Sequence, residues 1–203
     1  MGYAMTMKFN RAEAIVLTGG RGVRMGGLDK GLVELCGKPL VQWVTNSIAP
    51  QVDGVILSAN RNLEEYKKLG FPVVVDEFEH FQGPLAGIHA ALKKVNSEFV
   101  LVVPTDSPKL PPDLCYKLGT ALARSDAEIA VVEAGGRVQP VLMLFRADLE
   151  PEIERWLKQG SRKVLDWITS RRYVTVPFSA NDLLMVNIND PESLAAASEK
   201  LCF

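Results

Sequence analysis

Short, continuously apolar runs recur along the chain: AEAIVL at 12–17, GVILSA at 54–59, PVVVD at 72–76, EFVLVVP at 98–104 and EIAVVEA at 128–134. They do not alternate with polar residues, as strands buried on one face only would, so they predict strands covered on both faces, the arrangement of a parallel sheet. All but the last are followed by a loop or by a segment with helical spacing. In GPLAGIHAALKKV (83–95), Pro84 stands at a helix start, Leu85, Ile88 and Leu92 recur at three- and four-residue spacing, and Lys93 and Lys94 suit the C-terminal end. Pro111 and Pro112 open a further helix carrying Leu114, Leu118 and Leu122. This alternation predicts helices layered on a sheet.

After residue 130 the pattern changes. VVEAGGRVQPVLMLF places Gly135-Gly136 between two apolar runs and predicts an antiparallel hairpin, which makes the sheet mixed. LEPEIERWLKQG, SRKVLDWITS, a short strand at RYVTVP and a closing helix after Asp190-Pro191 complete the chain. Trp43, Trp156 and Trp167 fit amphipathic helices and are read as core residues. The expected fold is α/β: a single Rossmann-like domain over 11–203, with a mostly parallel mixed sheet flanked by helices. Residues 1–10 are expected to be an extension outside it.

Composition adds limits. At 203 residues and 47% hydrophobic content the chain can bury a sizeable core, and a formal net charge of −1 offers no bulk attraction to nucleic acid or anionic membrane. Cys36, Cys115 and Cys202 stand in no metal-ligand or redox spacing, so a reducing compartment and free thiols are expected, without zinc. The absence of a long apolar segment adds the expectation of a cytoplasmic protein.

The candidate chemistry begins at VLTGGRGVRMGGLDKGL, Val16 to Leu32. Its glycines let backbone N–H groups approach an anion, and Arg21, Arg24 and Lys30 add positive charge, so the loop suits phosphates. Neither common phosphate motif fits. Gly37-Lys38 is followed by Pro39 where a P-loop needs Ser or Thr, and the sixth place of a dinucleotide pattern counted from Gly20 holds Met25. Asp106 follows the apolar strand Phe99 to Val103 and offers a hard oxygen donor to Mg²⁺, or else caps a turn between Pro104 and Pro108. Asp76 also ends a run and faces ribose or base, or opens a loop. Asn60 has donor and acceptor atoms for a purine edge, or forms an Asx-turn. Asn187 and Asn189 alternate with Val186 and Ile188 and would face one way from a strand, although Asn189 also borders a helix entrance at Asp190-Pro191. Arg137, Gln139 and Pro140 are candidates for an acceptor pocket. His80 and His89 have no acid partner at a telling spacing.

GGRGVRMGGLDK followed in order by GKPL, SAN, GPLAG, PTDSP, RVQP and VNIND resembles the nucleotidyltransferase family that contains the molybdenum cofactor guanylyltransferases, most nearly the MobA type, from Ala12 to about Leu201. The resemblance implies transfer of GMP from GTP to molybdenum-bound molybdopterin, with Mg²⁺ as cofactor and pyrophosphate as leaving group. It implies a GTP site at Leu17, Thr18, Gly19, Lys30, Asn60, Asp76 and Asp106, with Asp106 also the metal ligand. Arg24, Lys30 and Asp106 are the expected catalytic groups, and Asn187 and Asn189 are candidates for the pterin end. Thr18 departs from the alanine usual in the family. Molybdoenzymes or cofactor-delivery proteins remain open as partners. A related nucleotidyltransferase that uses CTP or a different phosphorylated acceptor, and a non-catalytic GTP-binding carrier, are the alternative functions.

Overall fold

The computed structural model describes residues 9–18, 28–76, 83–179 and 187–202. Its strands are β1 (Ala12–Leu17), β2 (Glu34–Leu35), β3 (Lys38–Pro39), β4 (Gly54–Ser58), β5 (Val73–Val74), β6 (Phe99–Pro104), β7 (Ile129–Ala134), β8 (Arg137–Arg146) and β9 (Tyr173–Phe178). The helices are α1 (Leu40–Ile48), α2 (Leu63–Lys67), α3 (Pro84–Leu92), α4 (Leu114–Ala123), α5 (Glu150–Lys158), α6 (Val164–Thr169) and α7 (Pro191–Leu201).

Seven strands form one sheet in the order β5-β4-β1-β6-β8-β7-β9. Every neighbouring pair is parallel except those of β8, which runs antiparallel to both β6 and β7. The mixed, mostly parallel sheet follows from the sequence pattern. The tight turn between β7 and β8 is Gly135-Gly136, with φ of 58° and 71°, the left-handed pair that a two-residue hairpin turn needs.

Two apolar clusters cover the sheet, one on each face. Because strand side chains alternate, Ala12, Ala14 and Val16 of β1 pack with Val41, Val44 and Ile48 of α1 and Leu114 and Leu118 of α4. Ile15 and Leu17 turn to the other face, toward Leu85 and Ile88 of α3 and Ile153, Trp167 and Ile168 of α5 and α6. Of the tryptophans, Trp167 is fully buried, with its ring edge-on to Phe145 at 5.4 Å between centroids. Phe9 packs edge-on to Phe99 at the same separation and lies against Gly119. The packed region therefore begins before the expected boundary at residue 11, because the core has a place for that ring.

A third, smaller cluster explains a correction. Ile188 and Ala197 pack with Leu35 and Leu40, joined by Leu194, Leu201, Val33 and Trp43. This packing seats α7 on the short β2–β3 hairpin and α1, and it brings the two sequence-distant cysteines together. Cys36 and Cys202, 166 residues apart with Cα atoms separated by 5.5 Å, are disulfide-bonded, contrary to the expectation of free thiols. Local spacing cannot reveal a pair made by tertiary packing. Cys115 is free and buried, and burial beside the charge of Asp53 pushes its thiol up to about 12.

Opening the Cys36–Cys202 bond by reduction, or by Cys36→Ser, should lower unfolding free energy by about 2–4 kcal/mol, the usual range for closing a long loop. Hydrogen exchange should rise first in α7 and residues 187–189, while the sheet amides stay protected. After reduction Cys36 and Cys202 should react with a thiol reagent and Cys115 should not. Unchanged stability and exchange would show that the apolar contacts alone hold the helix.

Candidate active site

From β1 the chain moves outward to β4 and β5, then returns across β1 to β6 on its other side. Loops leaving the carboxyl ends of β1 and β6 consequently part in opposite directions, and this is where open α/β sheets place their ligands. Leu17, Asn60, Asp76 and Asp106 all stand at or just beyond the carboxyl ends of these four parallel strands. Asp76 lies two residues past β5, which is shorter than the run PVVVD suggests.

The centre of the edge is Lys30. Its ammonium lies 3.1 Å from Asp106 Oδ2 and donates to Asn189 Oδ1 at 2.6 Å. Lys30 rides on a short 3₁₀ turn, Lys30–Leu32, whose first residue is preceded by Asp29 as its cap. Both side chains of the ion pair are largely withdrawn from solvent, 17% exposed for Lys30 and 27% for Asp106, so the pair is less screened than a surface bridge. Around it the 105–107 and 187–189 segments run side by side. Ile188 N–H donates to the Asp106 carbonyl at 2.9 Å, and the Ser107 hydroxyl donates to Asn187 Oδ1 at 2.9 Å. Ile188 is fully buried between two exposed asparagines, which fixes the faces of Asn187 and Asn189. The segment alternates as expected, although it is an extended loop and not a strand. Asp190 then caps α7, its carboxylate accepting from Ser193 N–H at 2.8 Å while the Ser193 hydroxyl takes Asp190 N–H at 3.1 Å.

Asn60 and Asp76 form a reciprocal pair. Asn60 Nδ2 donates to Asp76 Oδ2 at 2.5 Å, and Asp76 N–H donates to Asn60 Oδ1 at 3.0 Å. Any ligand at this end meets the two as one unit rather than as a lone amide and a lone carboxylate. Thr18, the residue after β1, turns inward: its N–H and hydroxyl both donate to Ser58 O, at 3.0 and 2.7 Å. The α3 helix approaches these strand ends closely because Gly87 has no Cβ; a side chain there would run into the Ser58 hydroxyl.

A model of the MobA-like NTP transferase domain matches residues 14–174. The chain belongs to this family. The nucleotidyltransferase is 39% identical over 191 residues to the molybdenum cofactor guanylyltransferase of Shewanella pealeana, covering 94% of this chain and 96% of that one. It is 42% identical over 180 residues to the enzyme of the same name from Shewanella sp. strain MR-4, covering 89% and 91%. Among solved structures it resembles molybdopterin-guanine dinucleotide biosynthesis protein A from Archaeoglobus fulgidus, with a TM-score of 0.74 and 27% identity over 93% of this chain and 97% of that one. The 4-diphosphocytidyl-2C-methyl-D-erythritol synthase of Anaerococcus prevotii shares the fold alone, with a TM-score of 0.73 at 16% identity over 96% and 98% of the two chains.

Of the residues singled out in this nucleotidyltransferase, Lys30, Asp106 and Asn189 are brought into direct contact, and Asn187 is bonded to the Asp106 loop through Ser107. Gly19 and Arg24, with Arg21 and His80, lie outside the described residues. Arg137, Gln139 and Pro140 stand on β8 where it extends past its last pairing with β6, on the same edge of the sheet. Of the two places open to His89, helix surface or packed interior, it takes the interior. It is buried, and its Nε2 lies 2.7 Å from Glu150 Oε1, a partner supplied by α5 that no local spacing announces. Sequence reasoning also passed over Asp29, Asn62 and Tyr66, which surround the Lys30 turn. Only the heptapeptide RMGGLDK carried a signal for any of them.

Since Ser58 O keeps the Thr18 N–H when the hydroxyl is removed, Thr18→Ala should cost about 1 kcal/mol, the usual net worth of one such bond. Urea unfolding measures it. A loss of several kcal/mol would mean that the hydroxyl holds more of the strand end than this one bond.

Proposed function

We propose that the protein transfers GMP from GTP to the terminal phosphate of molybdenum-bound molybdopterin, giving molybdopterin guanine dinucleotide and pyrophosphate. The observation that carries this reading is the placement of Lys30 between Asp106 and Asn189 at the carboxyl edge of the sheet. Its likeness over nearly the whole chain to named guanylyltransferases supports GTP and the molybdenum-bearing acceptor as substrates.

In this reading an oxygen of the acceptor phosphate attacks the α-phosphorus of GTP as the bond to pyrophosphate breaks. Such transfers depend on positioning and on neutralising charge. Lys30 supplies a fixed positive charge for the leaving pyrophosphate, and Arg24 a second one from the glycine loop. Leu17, Thr18 and Gly19 meet the nucleotide through their backbone, and the Asn60–Asp76 pair meets its ribose or base. Asn187 and Asn189 receive the pterin end.

Mg²⁺ is the metal we propose for this site, and the donor set fits it. The Asp106 carboxylate and Asn189 carboxamide oxygen converge on one ammonium, so they bring hard oxygen atoms to a common point, and Mg²⁺ is usually held by one or two carboxylates with substrate phosphates and waters completing its shell. When bound it would supply Lewis-acid neutralisation of charge on the phosphates. Asp106 would be its protein ligand.

We place the reaction in the cytoplasm; among the described residues no helix is long and apolar enough to cross a membrane.

Offered molybdate, molybdopterin and each nucleotide in turn, the protein should consume GTP in preference to CTP and ATP, and mass spectrometry of the released cofactor should find the guanine dinucleotide. A cytosine dinucleotide as the main product would overturn the guanylyl assignment. GTP bound without turnover would favour a carrier.

Asp106→Asn keeps the shape of the side chain and removes its charge. Turnover should fall by about 10²-fold or more, as for loss of one preorganised electrostatic group, and the Mg²⁺ midpoint should move to higher concentration. GTP affinity measured without metal should change much less. Wild-type turnover at an unshifted midpoint would leave Asp106 as a turn residue.

A further inference from the structure

Asp29 stands immediately before Lys30, and its carboxylate is held from three directions. The Tyr66 hydroxyl donates to Oδ1 at 2.6 Å, Asn62 Nδ2 donates to Oδ2 at 3.0 Å, and Gly31 N–H reaches Oδ1 at 3.3 Å. The Asp29 carbonyl accepts from Leu32 N–H at 3.0 Å and closes the 3₁₀ turn that carries Lys30. Tyr66 belongs to α2 and is fully buried; Asn62 precedes that helix in a left-handed backbone conformation, φ 49° and ψ 38°, which asparagine tolerates better than most residues. Gly31 completes the enclosure, since a Cβ there would meet the Tyr66 hydroxyl and lie 3.3 Å from Thr18 Cβ.

The Lys30 turn is thus clamped between α2 and the end of β1, and the two carboxylates near Lys30 are used differently. Asp106 meets the ammonium, whereas Asp29 spends its oxygens on α2 and on the turn itself. We propose that Asp29, gripped by Tyr66 and Asn62, is the positioning residue that aims Lys30 at the phosphate site. The proposal rests on the reading of Lys30 as the cation for the leaving pyrophosphate. Burial and the neighbouring Asp29 both hold the Tyr66 hydroxyl protonated well above its ordinary range, so it remains a donor at every working pH.

A lysine side chain has four rotatable bonds, so its root must be fixed if its charge is to stand in one place, and misplacing a reacting or stabilising group by about 1 Å can cost on the order of 10²-fold in rate. Asp29→Ala should therefore lower kcat by ~10- to ~10²-fold with a smaller change in KM for the nucleotide. Asp29→Asn, whose amide oxygen can still accept from Tyr66 and Gly31, should recover most of the loss, because the clamp needs hydrogen bonds more than charge. Tyr66→Phe keeps the buried ring, removes one bond and should show an intermediate loss. The double variant Lys30→Ala/Asp29→Ala should be no slower than Lys30→Ala alone, since a positioning residue has nothing left to position.

Pyrophosphate release is measured with whichever nucleotide the wild-type protein consumes, so use of CTP would overturn the guanylyl reading without disturbing the cycle. Native-state trypsin cleavage after Lys30 is the readout independent of turnover. In Asp29→Ala and Tyr66→Phe it should accelerate at least several-fold relative to cleavage elsewhere in the chain. Losses that multiply in the double variant, or wild-type kcat and wild-type cleavage in both single variants, would overturn the proposal and leave Asp29 as a turn cap.

Discussion

A single ammonium group ties together three parts of the chain that are far apart in sequence. Lys30 lies 76 residues before Asp106 and 159 before Asn189, yet its Nζ bonds to both. The pair with Asp106 is partly desolvated, and there each charge left unpaired would be costly and pairing fixes geometry. The sheet makes the meeting feasible, because β1 and β6 are parallel neighbours that end side by side, with Thr105 N–H donating to Leu17 O at 3.2 Å. The α7 entrance then closes the third side. Nucleotidyl transfer asks for little covalent chemistry from a protein, so the whole demand falls on how firmly such charges are placed.

The third side is held by means different from the first two. Residues 187–189 belong to no strand, and their position depends on Ile188 being buried beside Leu35, Leu40 and Ala197, worth about 1.5–3 kcal/mol for a side chain of this size. The capping box at Asp190 and Ser193 sets the entry of α7, and the Cys36–Cys202 bond fastens its exit to the β2–β3 turn. Both ends of α7 are therefore tied to the segment just after Lys30. A loosened helix exit would reach the asparagines through the Ile188 contact and through Ser193, whose hydroxyl accepts from Asn189 N–H at 2.9 Å.

The sequence made the layered part of this fold legible, because buried parallel strands leave continuous apolar runs and the Gly135-Gly136 hairpin leaves a turn signature. Asp190-Pro191 announced α7 for the same reason: capping is local chemistry. The small β2–β3 hairpin and α2 were not legible, since two-residue strands and a five-residue helix have too little periodicity to detect. In the site, strand-end residues such as Asp106 and Asn60 could be named because their position follows from the strand pattern. The partners they use could not. Asn60 bonded to Asp76, His89 beside Glu150, Asp29 under Tyr66 and the joined cysteines are all tertiary pairs with no common spacing.

Thr18 shows how such a pair absorbs a local departure. Compared with the alanine expected from the family resemblance, a threonine at the end of β1 adds a methyl group and a hydroxyl, and an unpaired buried hydroxyl would be costly. Here both donors of Thr18 converge on Ser58 O, and a carbonyl oxygen has two lone pairs to receive them. The added atoms are thereby directed between β1 and β4, next to Tyr66 and Gly31, and away from the open edge. Room for them comes from neighbours of small size: Gly31 on the Lys30 turn has no side chain, and Gly87 on α3 leaves the Ser58 side undisturbed. What the edge then presents at this position is backbone, as it would with alanine, so the threonine side chain changes the packing beneath the strand end and leaves the open edge as it was.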